Sequence, residues 1–91
     1  LHFDPVDPSD PEVRKLTGMA EEVVNGVDPF LQLHDFRIIS RSANQVRVAF
    51  DVVVPRDYPM EHREIRRRIV TGLRSVDPRV IPTVEVENSY L

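Results

Sequence analysis

The stretch QVRVAFDVVV, Gln45 to Val54, decides the reading of this chain. Successive side chains of a strand point to opposite faces, so Val46, Val48, Phe50, Val52 and Val54 share one side and Arg47, Ala49 and Asp51 the other. One face must be covered by something apolar, and the other can meet water. Pro55 ends the strand, because proline offers no N–H to a ladder.

Working back from Gln45, Ser42-Ala43-Asn44 is a short turn, and a second strand is expected over 30–41. A short connection makes the two an antiparallel hairpin. Alternation in the earlier strand changes phase, with Leu31 and Leu33 first and then Phe36 and Ile38. A bulge near His34-Asp35 accounts for the change. Farther upstream, Val13, Leu16, Ala20, Val23 and Val24 recur at helical spacing and predict a helix over 10–25. Ser9 and Glu12 stand at capping-box spacing, Pro11 fits the first turn, and Asn25-Gly26 reads as a left-handed stop. Gly18 weakens the middle of that helix by about 1 kcal/mol relative to alanine.

Downstream of Pro55, Ile65, Ile69 and Leu73 form an i, i+4, i+8 stripe widened by Val70, which predicts a helix over 59–75. Glu64 precedes Arg68 by four residues, the favourable order for an ion pair. A last strand is expected over 80–87, with Pro82, Val84 and Val86 facing one way and Thr83, Glu85 and Glu87 the other. Pro82 suits an edge position or a later start of the strand. Val-Asp-Pro occurs twice, at 27–29 and 76–78, each time between a helix and a strand.

The order is therefore α-β-β-α-β. The last three elements make a β-α-β unit with parallel strands, and both helices belong on one sheet face. The fold class is α+β, a ferredoxin-like two-layer sandwich. If Leu1 to Val6 adds an N-terminal strand, the order becomes β-α-β-β-α-β. Otherwise residues 1–9, rich in Asp-Pro pairs, are a linker or the tail strand of a preceding domain, and the domain proper is 10–91. Ninety-one residues make one domain. The chain opens at Leu1 without a methionine and is expected to be a piece of a longer protein.

Composition narrows the function. There is no cysteine, so neither a disulfide nor a thiolate metal site can form. A formal charge of −3 argues against a nucleic-acid partner. No apolar run reaches the roughly 18 residues that span a bilayer. With only three glycines there is no phosphate-cradling loop, and no serine lies in a nucleophile-elbow context. The chain does not read as an enzyme.

The histidines carry what chemistry there is. His34, beside Asp35 at the expected bulge, reads first as a half-exposed strand residue. The sharper reading is a metal ligand, since imidazole beside carboxylates suits Zn²⁺ or Mn²⁺. His62 lies at the edge of the second helix's apolar stripe and reads first as a boundary residue, whereas His2 tells little. Glu85 and Glu87 share a strand face and can hold a hard cation or simply meet water. Arg63, Arg66, Arg67 and Arg68 offer an anionic-lipid or nucleic-acid patch, against the plainer reading of a solvated face partly neutralised by Glu61 and Glu64.

These residues together resemble a family. His34-Asp35-Phe36-Arg37, the hairpin into Phe50-Asp51-Val52-Val53-Val54-Pro55, the amphipathic helix and the final Val84-Glu85-Val86-Glu87 are similar to the cytosolic C-terminal domain of cation diffusion facilitator transporters. Leu1-His2-Phe3-Asp4-Pro5-Val6 resembles the last strand of such a domain, so the chain would be a second, appended copy. The resemblance implies a homodimer, a transmembrane domain in the same chain that exports divalent metal ions, and a regulatory role at the cytoplasmic side of a cell membrane. It places metal-ligand positions at His34, at His62 within one residue, and at Glu85 and Glu87, where the family carries histidine and aspartate. Phe50 replaces the family's histidine in the middle of the second strand. With one ligand lost and two changed in type, Zn²⁺ binding by the isolated domain is expected to be weak or absent, with His34 and Glu85 or Glu87 favoured if an ion binds. The alternative is a free-standing ferredoxin-like module that senses a small molecule.

Overall fold

A computed structural model describes residues 11–89. The Ser9 cap, His2 and the Leu1 to Val6 strand lie outside the described residues. The elements are α1 (Pro11–Val27), β1 (Gln32–Arg41), β2 (Val46–Val54), α2 (His62–Val76) and β3 (Val80–Asn88). The strands form one sheet in the order β1-β2-β3. β1 pairs with β2 antiparallel, and β2 pairs with β3 in parallel. The architecture is the expected α+β arrangement, with α-β-β-α-β order and ferredoxin-like layering.

β2 is the centre of the molecule. Val46, Val48, Phe50, Val52 and Val54 are all buried, and Phe50 is wholly enclosed. They share one apolar cluster with Val13, Leu16, Ala20 and Val24 of α1 and with Ile65, Ile69 and Leu73 of α2. Both helices therefore lie over the same sheet face. Val46 to Val54 pairs residue for residue with Val80 to Asn88, so no gap is left between β2 and β3 and a further strand could join this sheet only at an edge. β3 is itself an edge strand, which accommodates Pro82.

The bulge in β1 lies where the change of phase placed it. His34 pairs with Asp51 and Arg37 with Ala49, so Asp35 and Phe36 together oppose Phe50. Asp35 has φ 62, a left-handed conformation that aspartate tolerates better than most residues. The kink turns Phe36 inward, where its ring stacks on Phe50 with centroids 5.8 Å apart. A second register shift between Ile38 and Ser40 has no counterpart in the sequence reading and leaves Ile39 more than half exposed.

Two boundaries differ from expectation. α1 passes through Asn25-Gly26 and ends at Val27, and no glycine has positive φ. The stop comes from Asp28-Pro29, because proline disfavours the helical conformation in the residue before it. α2 begins at His62 rather than Pro59. Its N-cap, Glu61, is extended and makes no side-chain cap, while residues 55–58 form a turn closed by Tyr58 N–H on the Pro55 carbonyl. The Tyr58 hydroxyl also donates to Asp28 at 2.7 Å, which ties this turn to the one after α1.

The repeated Val-Asp-Pro is a true structural repeat. Asp28 N–H donates to Val24 and Asp77 N–H to Leu73, closing each helix. Each Asp carboxylate then accepts the N–H two residues on, Phe30 at 2.8 Å and Arg79 at 3.0 Å. The same local solution launches β1 and β3 from the two helices.

Candidate functional site

The face of the sheet opposite the helices carries the polar residues. On β2 it presents Arg47, Ala49, Asp51 and Val53, since their neighbours in sequence face the core. The register aligns His34 of β1, Asp51 of β2 and Glu85 of β3 in one row across all three strands. Paired residues in a ladder share a face, so an imidazole and two carboxylates stand side by side. His34 and Glu85 are exposed and Asp51 is half-buried. Glu87 lies one step along β3, beside Val53 and in line with Gln32.

β2 separates the two ligands chosen from sequence. Neighbouring strands are about 4.8 Å apart, so the backbones of His34 and Glu85 are roughly 10 Å apart. Asp51 is the residue between them, and the sequence reading assigned it no role. Its signal was the strict alternation of β2, which sets it on the open face. His62 is not brought to this row, because it stands at the start of α2 in the helix layer on the other face. As placed, no three His, Cys, Asp or Glu side chains among the described residues converge into a metal-holding cluster. The His34 Nε2 lies 3.3 Å from Gln32 Oε1, along its own strand.

Asp35, next to His34, is engaged elsewhere. Arg37 Nη1 donates to its carbonyl at 2.8 Å and to its carboxylate at 3.2 Å. The bulge thus divides the His-Asp pair, leaving His34 in the row and Asp35 locked to Arg37. An open groove of about 380 Å³ adjoins His34 on the side of α1, with Glu21, Asn25 and Gln32 in its walls.

The second electrostatic feature is α2. Glu64 accepts from Arg67 at 3.1 and 2.6 Å and from Arg68 at 2.8 Å. These hydrogen bonds, Arg67 first, lower the Glu64 carboxyl to about 2. The expected Glu64–Arg68 pair is therefore present and shared with Arg67. Arg66 instead donates to the Val84 carbonyl on β3 at 3.0 Å. No helix among the described residues is long and apolar enough to cross a membrane.

Known proteins give a fold likeness. No family model and no curated protein matches the sequence. Two solved structures of CzrB, described as a zinc transporter, superpose on the chain. The zinc form is 24% identical, covers 96% of this chain and 94% of its own, and has a TM-score of 0.74. The second is 24% identical, covers 88% of this chain and 96% of its own, and has a TM-score of 0.72. This chain is thus similar in fold, nearly end to end, to the chain seen in the CzrB structures.

Proposed function

We propose that this domain pairs with a second copy of itself and serves as the cytosolic dimerising and regulatory part of a divalent-cation efflux transporter. The observation that supports it most is the end-to-end likeness to CzrB in its zinc form, which spans nearly the whole of both chains. Its role in the membrane protein would be to hold two subunits together and to respond to the transported ion.

The open sheet face suits that task. One copy sets one imidazole and two carboxylates in a row over three strands, with no three of them converging on one point, though the donor types suit Zn²⁺ or Mn²⁺. A two-fold pair uses the same patch on both chains, so an interface at this face would double the donors in reach of an ion. Histidine must be neutral to bind a metal, so binding weakens in acid.

Sedimentation of the domain with and without Zn²⁺ or Mn²⁺, paired with calorimetric titration of the wild type and His34→Ala, tests the reading. A dimer at concentrations on the order of tens of micromolar is expected, with metal binding that is weak and lost in His34→Ala. A monomer even at concentrations on the order of millimolar removes dimerisation from this domain. Tight zinc binding that survives His34→Ala overturns the choice of ligand.

A further inference from the structure

α2 carries five arginines against one glutamate, a net charge of +4 on a chain whose formal charge is −3. The buried stripe of the helix is Ile65, Ile69 and Leu73. At 100° per residue, Arg63, Arg67 and Arg74 fall on the opposite side and form one line along the solvent face. The line is about 16 Å long, from the helical rise over eleven residues. The Arg63 side chain is 87% exposed and that of Arg67 is 67% exposed. Local acids neutralise this face only in part. Glu64 serves Arg67 and Arg68 together, and Glu61 stands 3.9 Å from Arg63. Arg74 has no acidic partner among the described residues, and the bond from Arg66 goes to a neutral carbonyl.

We propose that this arginine face of α2 rests on anionic lipid headgroups. The choice of a membrane as the anionic surface rests on the transporter reading above, which places the domain beside a bilayer. The charge pattern adds its own argument. A straight row of guanidiniums complements a flat array of phosphates, and α2 has no Phe, Tyr or Trp on which bases could stack, only His62 at its first position. The acidic row on the open sheet face lies on the far side of the molecule from α2. The two surfaces can therefore meet a membrane and a second copy independently.

The test is co-sedimentation of the domain with vesicles of phosphatidylglycerol and phosphatidylcholine in equal parts, against pure phosphatidylcholine vesicles and a duplex oligonucleotide. Binding to the anionic vesicles alone is expected, and it should weaken as salt rises through about 0.1 M, where charges are screened beyond about 10 Å. Each arginine changed to glutamine should lower the partition about five-fold, so that Arg63→Gln/Arg67→Gln/Arg74→Gln loses about a hundred-fold. Glu64→Gln should act in the opposite direction and raise binding, because it releases Arg67 and Arg68 from their local partner. Equal binding to both vesicle types, stronger retention on the duplex, or no gain in Glu64→Gln would each overturn the proposal. Circular dichroism and sedimentation of each variant show whether fold and dimer are intact. A dimer that ignores anionic vesicles overturns only the lipid contact, whereas a monomer overturns the reading on which it rests.

Discussion

The two faces of the sheet are built from the same three strands, yet they do different work. On the covered face, β2 places five apolar residues in succession, every one of them buried. On the open face the same strand places Arg47, Asp51 and Val53 around Ala49. Ladder hydrogen bonds serve both faces equally, so what separates them is the apolar area removed from water. Covered positions hold the fold together. Apart from Ala49, which is buried, the open positions are less constrained in chemistry, and it is there that an imidazole and two carboxylates come into line.

The largest effect expected from breaking this contrast is at Phe50. It is wholly enclosed and stacks on Phe36. Phe50→Ala should cost about 3–5 kcal/mol, a large part of the roughly 5–15 kcal/mol that stabilises a domain. A melting temperature unchanged from wild type would show that this packing is wrong.

A middle-sized effect separates the two helical glycines above the covered face. A Cβ on Gly72 would meet Val23 Cγ1 at 2.8 Å, at the contact between α1 and α2. Valine is stiff at χ1 and gives way poorly. Overpacking of about 1–3 kcal/mol should exceed the gain of about 1 kcal/mol in helix propensity, so Gly72→Ala should destabilise. Gly18, mid-way along α1, has nothing within 4 Å of the same atom. Gly18→Ala should therefore stabilise by about 1 kcal/mol. Urea denaturation of both variants reads the two signs, and the same sign for both would refute the close helix contact.

The smallest effect sharpens the comparison from the other side. His34→Ala and Asp51→Asn lie on the open face and should change stability by no more than about 0.5 kcal/mol. A loss of several times that in either variant would mean that the row is structural and that the open face is not free for binding.

Period and punctuation were enough to find most of the fold. The alternation of β2, the phase change in β1 and the stripe of α2 each state which residues must be buried, and that is a local property of the chain. The phase change alone locates the bulge, because a strand that swaps faces needs one extra residue. Helix ends were less legible. Asn25-Gly26 looked like a stop, but the chain continues one more half-turn because Asp28-Pro29, repeated at Asp77-Pro78, supplies a stronger one.

The candidate site was legible only in pieces. The sequence by itself determined that His34 and Glu85 sit on strands, that Asp51 points away from the core, and that α2 is crowded with arginine. Which strand lies between which, and in what register, was decided only by the tertiary structure. Strand order and pairing depend on contacts between residues far apart in the chain, which no local period records. That pairing sets Asp51 between His34 and Glu85, and it consigns His62 to the opposite layer.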